Sequence, residues 1–368
     1  PNAEEGEIIS VSVTTELIEA INDASPGDVI TLEPGIYSIS QLITIRRDGA
    51  EDNRIFLRAA ELGQVTLELS HIENFKIYAK FWIFENLRFV GVCTNGQGCE
   101  HAFHIVGDAD DLIFRNNEII DFASHVKLNG ERLGAGSAQS FPDRVMFLDN
   151  LWHNTRYIRN NAPHNILNID GGRDHIVRGN IFADYSTPPD LPKSASAIYP
   201  KASTSRILIE QNLIVCEKQR LEGETNRGIE LGDGAPASIC DGDDDQDGNG
   251  DCVERGQSQE AIVRNNIIIA CNNGGSSAGL MVSSDRESLL LHNTIVGVGQ
   301  RNAGFYKGHP DHETYWRANI LERGINVQYA ERMLNEVDNL APTQEELNLL
   351  FAAPIEGDLG LLTPDSIT

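Results

Sequence analysis

The sequence predicts an all-β chain, folded as a single right-handed parallel β-helix over residues 1–368 with a helical cap at its N-terminal end. Three observations support this fold: aliphatic segments recur along the chain, each carries an Asn near its middle, and successive Asn residues lie about 30 positions apart. Regular self-similarity is typical of a solenoid, in which each repeat buries its apolar face by stacking on its neighbours.

The repeated unit is a strand, a turn at Asn and a second strand. The segments are WIFENLRF (82–89), LIFRNNEII (112–120), VMFLDNLW (145–152), HIVRGNIF (175–182), ILIEQNLIV (207–215), AIVRNNIII (261–269), LLLHNTIV (289–296) and YWRANILE (315–322). The aligned residues are Asn86, Asn117, Asn150, Asn180, Asn212, Asn266, Asn293 and Asn319. No helical period separates the repeats, which excludes leucine-rich, ankyrin and tetratricopeptide arrays and leaves a β-helix.

The Asn residues have a physical role in such a stack. Coils about 4.8 Å apart place each Asn above the next, so that buried amides can hydrogen-bond as a ladder. Asn also tolerates the left-handed conformation that a tight bend requires. The 54-residue step from Asn212 to Asn266 is either one coil with a large insertion or two coils, the middle one being RGIEL (227–231) without its Asn.

The two ends of the chain are expected to close the solenoid. The sequence of residues 15–37, TELIEAINDASPGDVITLEPGIY, predicts an amphipathic helix, then a Ser-Pro-Gly turn and then the first strand. A helix there would cover the open sheet edges of the first coil. The segment 331–368 is expected to form a C-terminal cap or tail.

Composition and charge narrow the function classes. Hydrophobic residues make up 40% of the chain and aromatic residues only 7%, so Ile, Leu and Val must build the core. The net charge of −26 argues against a nucleic-acid-binding protein, which needs a basic surface. No apolar run approaches the roughly 18 residues that cross a membrane. We expect a soluble monomer, secreted or periplasmic, that is the mature form of an exported protein.

The six cysteines also suggest an exported protein. Cys93 and Cys99, and likewise Cys240 and Cys252, bracket Gly-rich loops at the short spacing expected of disulfides. The alternative is a set of unrelated free thiols, but no spacing typical of a zinc site competes with the disulfide interpretation.

Residues 243–254, DDDQDGNGDCVE, match the twelve-residue EF-hand loop at every ligand position. Calcium is coordinated by six to eight oxygens, and Gly248 permits the sharp turn around the ion. Gly250 and the non-helical flanks indicate a lone structural Ca²⁺ site within 240–254, an inserted loop stapled by a Cys240–Cys252 disulfide. The expected ligands are Asp243, Asp245, Asp247, Asn249, Asp251 and Glu254. The alternative is a solvated acidic insertion.

A positively charged stretch marks the candidate functional region. Between residues 144 and 206, eight basic residues face five acidic ones, a local charge of +3 in a chain of −26. Because residues about 30 apart stack in a solenoid, these side chains are predicted to share one face with His125 and Lys127 from the preceding coil. A positive groove in an acidic protein indicates an anionic ligand. Its densest polar segment is NNAPHNILNIDGGRDH (160–175), although its residues taken singly also fit an ordinary turn and strand start.

Three features together resemble the chondroitinase B and alginate lyase family, polysaccharide lyase family six. They are PGDVITLEPGIY (26–37), the Asn-laddered strands, and Lys201 in AIYPKASTSRILIEQN (197–212). The resemblance covers most of the chain as fold and implies that Lys201 is the general base. The family's two acidic ligands for a catalytic calcium fall on Ser194 and Ser196. Its Arg one coil later falls on Glu230, with Arg227 nearby.

A uronate lyase needs a base for the C5 proton, donors that neutralise the carboxylate, and an acid for the leaving oxygen. Lys201, His164 or His175 is the candidate base, and Tyr199 or Tyr185 the candidate acid. Arg173, Arg178 or Arg227 would bind the carboxylate bidentately. The predicted substrate-binding residues are Arg156, Arg159, Arg173, Arg178, Asn168, Asp170 and Lys193.

The sequence therefore predicts a secreted polysaccharide lyase that cleaves an anionic, uronate-containing polysaccharide such as alginate or a glycosaminoglycan by β-elimination. A glycoside hydrolase on the same scaffold is an alternative, because Asp170 with Asp174 or Asp184 would supply two carboxylates. A non-catalytic carbohydrate-binding β-helix is a third possibility, because one fold hosts many functions.

Overall fold

The described strands of this computed structural model form a parallel β-helix, as the sequence predicts. The structure describes residues 6–94, 98–132, 139–160, 164–191, 193–202, 204–217, 226–232, 237–240, 252–255, 258–269, 271, 278–283, 285–297, 301–305, 313–322, 324–327, 334–343, 345–347, 351–353 and 358–361. Each coil contributes one strand to each of three long sheets, here called A, B and C, and neighbouring coils pair in parallel throughout.

Sheet A consists of Ile8–Val11, Val29–Leu32, Ile55–Arg58, Trp82–Glu85, Ile113–Arg115, Met146–Leu148, Ile176–Arg178, Leu208–Glu210, Ile262–Arg264, Leu289–Leu291, Thr314–Arg317 and Leu334–Val337. Sheet B consists of Gly35–Ile39, Val65–Leu69, Arg88–Gly91, Glu118–Ile120, Leu151–His153, Ile181–Ala183, Leu213–Val215, Ile267–Ile269, Thr294–Val296 and Ile320–Leu321. Sheet C consists of Ile43–Ile45, Glu73–Ile77, His101–Val106, Val126–Asn129, Leu167–Asp170, Ala195–Lys201, Asn226–Leu231, Ala278–Val282, Arg301–Phe305 and Ile325–Val327.

Four smaller sheets lie outside these three. Antiparallel pairs join Glu131–Arg132 to Gln139–Ser140, Ala237–Cys240 to Cys252–Arg255, and Phe351–Ala353 to Asp358–Leu361. A three-stranded parallel sheet combines Thr204–Ser205, Ser258–Gln259 and Asp285–Arg286.

The helix α1, Thr14–Asp23, packs at the N-terminal end of the solenoid. It buries Leu17, Ala20 and Ile21 against the first coils. The strand Ile8–Val11 precedes it and pairs with Val29–Leu32, so a strand of sheet A comes before the helix as well as after it. Among the described residues, no helix is long and apolar enough to cross a membrane.

Alternation along short strands builds the core. In Ile113–Arg115 the middle residue, Phe114, points inward, and its ring stacks 4.8 Å from Phe84 below and 5.4 Å from Phe147 above. Aliphatic and aromatic residues repeat at such inward positions, so one continuous core runs from the first coil to Trp316 and Leu321.

The turn between sheets A and B carries the amide ladder. Asn117 Nδ2 donates to Asn150 Oδ1 at 3.0 Å and to the carbonyl of Phe84 at 2.9 Å. The same pattern continues through Asn180, Asn212, Asn266, Asn293 and Asn319 to Asn339. The members from Asn117 to Asn319 are at most 2% exposed, so nearly every donor and acceptor of the ladder is satisfied inside the protein.

The ladder corrects three sequence expectations. Asn86 is one position out of register: Leu87 stacks beneath Asn117, and Asn86 pairs instead with Asn116. The left-handed residue of each turn is the one before the ladder Asn, as in Asn116, Gln211 and Asn265. The ladder also continues to Asn339, inside the segment expected to be a C-terminal cap.

The 54-residue step is one coil with an insertion. Asn212 Nδ2 donates directly to Asn266 Oδ1 at 2.9 Å, and Leu208–Glu210 pairs with Ile262–Arg264. RGIEL is therefore the sheet C strand of that coil, Asn226–Leu231. The insertion begins after this strand and includes the antiparallel pair of strands that contains Cys240 and Cys252.

Asn180 allows the ladder to be tested. It accepts hydrogen bonds from Asn150 N, Asn150 Nδ2 and Trp152 Nε1, so Asn180→Ala would leave buried donors without a partner. We expect a loss of about 3 kcal/mol in the free energy of unfolding, measured by chemical denaturation. The control is Asn339→Ala at the half-exposed end of the ladder, where about 1 kcal/mol or less is expected. Equal losses in the two variants would contradict this role.

Candidate functional site

The outer face of sheet C brings together the predicted catalytic residues Lys201 and Tyr199 and the predicted substrate-binding residues Asn168 and Asp170. Lys127, Asn168 and Tyr199 are register partners on three consecutive strands. Asp170 pairs with Lys201 in the same way, two positions further along. Because residues two apart on a strand project from the same face, all five side chains lie on the outer side of the sheet, where Asn168 is fully buried.

Two lysines share one carboxylate at the centre of this surface. Lys127 Nζ donates to Asp170 Oδ2, and Lys201 Nζ lies 3.4 Å from Asp170 Oδ1. The three side chains are only 18–21% exposed. Lys201 Nζ also lies 4.7 Å from the centre of the Tyr199 ring, which places the phenol beside the cluster. We call Lys127, Asp170 and Lys201 the lysine pair site.

The lysine pair site changes the acidity of Lys127. Burial and, to a smaller extent, the nearby charge of Lys201 together lower the pKa of Lys127 to about 8, with Glu100 opposing the shift more weakly. A lysine with such a pKa is substantially neutral in mildly alkaline solution, which is the condition for accepting a proton.

A second ionic cluster lies on the next strand. Arg227 Nη1 is 2.5 Å from Glu230 Oε1, and Ser196 Oγ donates to Glu230 Oε2 at 2.9 Å. Ser283 adds a longer hydrogen bond of 3.4 Å to Glu230. Glu230 is 4% exposed, whereas the Arg227 side chain is 20% exposed. The carboxylate is thus buried beneath a guanidinium that solvent can reach.

Four predicted residues lie on the loops that precede sheet C strands. Arg156 donates to the carbonyl of Gly91 at 2.8 Å, and Arg159 pairs with Asp190 at 2.8 Å. His164 Nε2 donates to the carbonyl of Asn160 at 3.2 Å, and burial lowers the pKa of His164, with a smaller effect from the charge of Lys193. His164 is 3% exposed, so it supports the loop rather than facing a polymer.

The structure does not bring His175, Arg173 and Arg178 to this surface. His175 is fully buried, its Nδ1 accepts from Val145 N, and burial lowers its pKa to about 4. Arg173 pairs with Asp143 at the start of sheet A, and Arg178 lies on the outer face of sheet A. The expected single basic face is therefore divided between sheets, because a coil turns through three faces and only residues in matching register share one.

Two residues of the site were not among the sequence-predicted catalytic or binding residues. In the sequence, Lys127 is a basic residue on the coil before the positively charged stretch, and Glu230 occupies the position where the family has an arginine. A signal for Lys127 is present in VKLN (126–129), where alternation points Lys127 and Asn129 outward. Its contact with Asp170, 43 residues later, depends on the strand register and therefore cannot be predicted from the sequence pattern alone.

A surface pocket at the other end of the molecule is a poorer candidate. It lies beside α1 and the strand Ile8–Val11, and its lining includes Glu7, Glu16 and Asp28. Carboxylates repel an anionic ligand, so we place the candidate site on sheet C.

The positions that correspond to the family's catalytic calcium do not fit that ion. Ser194 and Ser196 supply no carboxylate, and Glu230, the nearest acidic group, already contacts the Arg227 cation and the Ser196 hydroxyl. Calcium requires several oxygen ligands, most often with carboxylates among them. We therefore derive no catalytic step through a calcium ion at this position.

The predicted structural calcium ligands Asp243, Asp245, Asp247, Asn249 and Asp251 lie outside the described residues. Glu254 belongs to the strand Cys252–Arg255. The Cys93–Cys99 disulfide is confirmed. The backbones of Cys240 and Cys252 pair opposite each other, and their disulfide stays a prediction. A further disulfide, Cys216–Cys271, was not predicted; its two cysteines follow register-paired strands of sheet B.

No protein-family model and no curated protein sequence matches the chain. Among solved structures, it is similar to ORF18 of Geobacillus virus E2, with 14% identity, a TM-score of 0.50 and coverage of 91% of this chain and 60% of that one. It is also similar to the A-module of a mannuronan C-5 epimerase from Azotobacter vinelandii (12% identity, TM-score 0.49, coverage 89% and 90%). A third is a PL6 family polysaccharide lyase from Pseudopedobacter saltans (14%, 0.41, coverage 96% and 96%). At these identities the likeness concerns the fold, and activity must be argued from the site.

Proposed function

We propose that this protein is a secreted polysaccharide lyase that cleaves a uronate-containing polysaccharide by β-elimination. The observation that carries the proposal is the lysine pair site: two lysines on one carboxylate, on the outer face of a β-helix sheet, with Tyr199 and Arg227 on the same sheet. Two disulfides are consistent with export to an oxidising compartment.

The roles of the residues follow from their charges. The resemblance implies Lys201 as the base, but we assign the base to Lys127, because burial and the Lys201 charge together favour its neutral form. Lys201 stays cationic and, with Arg227, neutralises the substrate carboxylate so that negative charge can develop on it. Asp170 holds the two lysines side by side and is a positioning residue.

The proposed elimination involves one proton transfer to Lys127 and one from Tyr199. Lys127 takes the C5 proton, and the electron pair of the broken C–H bond forms the C4–C5 double bond. The bond from C4 to the glycosidic oxygen breaks, and that oxygen takes a proton from Tyr199. The products are an unsaturated uronate at one new end and a free hydroxyl at the other. General acid and base groups of this kind typically contribute about 10²–10⁴-fold each.

A glycoside hydrolase is the second candidate. Asp170 and Glu230 project from the same face, but they lie two strands apart and two residues out of register, so their backbones are about 12 Å apart. Their side chains would have to converge to reach the carboxylate separation of inverting enzymes. Asp174 pairs with Arg206 and lies at the start of sheet A, so it is not a partner for Asp170 here. Lyase products absorb in the ultraviolet as unsaturated uronates, whereas hydrolase products show new reducing ends without that absorbance.

The lysine assignment predicts a pH profile. Because the base must be neutral, kcat/KM on alginate, chondroitin, dermatan, hyaluronan, heparin or pectin, whichever is cleaved, is expected to rise with pH and to level off above about 8. Lys127→Met is expected to lower kcat by about 10²–10⁴-fold. Lys201→Met removes the charge that lowers the Lys127 pKa, so the rising limb should move to higher pH.

The control for these variants is Lys80→Met, which removes an ion-paired lysine outside the site and is expected to leave the profile unchanged. Full activity of Lys127→Met, with an unshifted limb in Lys201→Met, would contradict the assignment. No ultraviolet product from any of these polymers would contradict the lyase function, and reducing ends without absorbance would indicate the hydrolase. If none of these polymers were cleaved, the result would favour the third possibility, a non-catalytic carbohydrate-binding protein.

We also propose that residues 243–254 bind a structural Ca²⁺ ion, on the strength of the EF-hand ligand pattern. Calcium is expected to raise the melting temperature over that in a chelator, because an ion bound only by the folded state stabilises it. Terbium luminescence would report occupancy independently. Asp243→Ala/Asp245→Ala should abolish both effects, and Asp48→Ala, outside the loop, should change neither. A melting temperature and luminescence indifferent to these substitutions would exclude the site.

A further inference from the structure

The outer face of sheet A carries a row of arginines on a different sheet from the lysine pair site. Strand register places ten residues in this row, which we call the arginine row: Thr31, Arg58, Glu85, Arg115, Leu148, Arg178, Glu210, Arg264, Leu291 and Arg317. Five arginines face two glutamates, an excess of three positive charges in a protein of net charge −26.

The two glutamates of the row lie beneath the arginines. Glu210 contacts Arg178 at 2.5 Å and Arg264 at 2.7 Å, and Glu85 contacts Arg115 at 2.5 Å in the same way. The glutamate side chains are 7% and 10% exposed, whereas these three arginines are 44–45% exposed. Solvent, and any ligand, therefore meets the guanidinium groups, while the carboxylates fix them from below.

Two further rows run parallel to the arginine row. Two positions earlier on each strand lie half-buried aliphatic residues, as at Ile113, Ile176 and Ile262. On the other side, the left-handed turn residues include exposed amides such as Asn116 and Asn265. The face thus offers cations, apolar strips and amides in parallel lines along the axis of the solenoid.

We infer that the arginine row is a binding surface for an anionic polysaccharide, separate from the lysine pair site. Arg115, Arg178 and Arg264 recur at every second strand of the row, about 10 Å apart, which suits a polymer with repeated carboxylate or sulfate groups. Guanidinium groups bind carboxylates bidentately. The amides can meet sugar hydroxyls, and the aliphatic strip can cover the apolar faces of the rings.

The same face is poorly suited to nucleic acid. Single-stranded nucleic acids bind through aromatic side chains on which bases stack, and along the described strands of the arginine row only Phe56 and Tyr315, far apart along the row, supply outward aromatic rings. The strong negative charge of the whole molecule also opposes the long-range attraction on which binding of duplex DNA depends.

Leu148 and Leu291 allow a test that leaves every ion pair of the row intact. Both are half-buried outward positions between arginines. Leu148→Glu/Leu291→Glu would cancel two of the three excess charges, and Leu148→Gln/Leu291→Gln is the matched neutral control. Both pairs are made in Lys127→Met protein, so that cleavage at the lysine pair site is suppressed, and folding is checked by thermal unfolding.

Binding is measured by biolayer interferometry on end-biotinylated alginate, with neutral dextran and duplex DNA as comparison surfaces. We expect salt-sensitive binding of the Lys127→Met protein to alginate. The Glu variant should lose at least about fivefold in affinity and the Gln variant less than about twofold. No alginate binding, equal affinities of the two variants, or tighter binding to DNA than to alginate at the same salt would overturn the inference. A protein without lyase activity would still give a decisive result here.

Discussion

The amide ladder from Asn117 to Asn339 is the interaction on which the rest of the structure depends. Each buried Asn binds both the next Asn and a backbone carbonyl of an adjoining coil, so a slip of one residue would leave buried polar groups unpaired. The ladder therefore fixes the register of sheets A and B. Through the short connections of each coil, it also fixes which side chains stack on sheet C.

Register explains how residues far apart in sequence form one site. Lys127 and Asp170 are 43 positions apart, and Asp170 and Lys201 are 31 positions apart, but all three occupy matched positions on consecutive strands. Two ammonium groups beside one carboxylate leave one positive charge in excess, and burial makes this charge costly. The cluster reduces that cost when one lysine loses its proton, and Lys127, whose pKa is lowered to about 8, is the one assigned as the base.

Much of the fold could be predicted from the sequence, because the repeat records the coil directly. The near-30-residue spacing predicts the β-helix and marks the 54-residue step as irregular, and the strand register then identifies that step as one coil with an insertion. The error at Asn86 arose because two adjacent asparagines, Asn116 and Asn117, play different roles, one in the left-handed turn and one in the ladder.

The site was harder to predict, because a spacing of 30 places residues one above another without saying which of three sheets they occupy. His175 illustrates this: it looked available beside NIDGG, yet it lies fully buried at the start of a sheet A strand. Lys201, Tyr199 and Asp170 lie close together because they occupy register-paired strands of sheet C. Arg173 and Arg178 lie elsewhere, because the chain turns onto sheet A after Asp170.

The Cys216–Cys271 disulfide has a consequence for how this chain can vary. It joins positions 55 residues apart that follow register-paired strands of sheet B in neighbouring coils. The covalent loop therefore contains one whole coil: the sheet C strand Asn226–Leu231, the insertion, and the strands Ile262–Arg264 and Ile267–Ile269. Closing that long loop also removes conformational freedom from the unfolded chain. Because the loop also holds these strands, segments of other length or composition could replace only the insertion after Leu231 while the coil keeps its stacking.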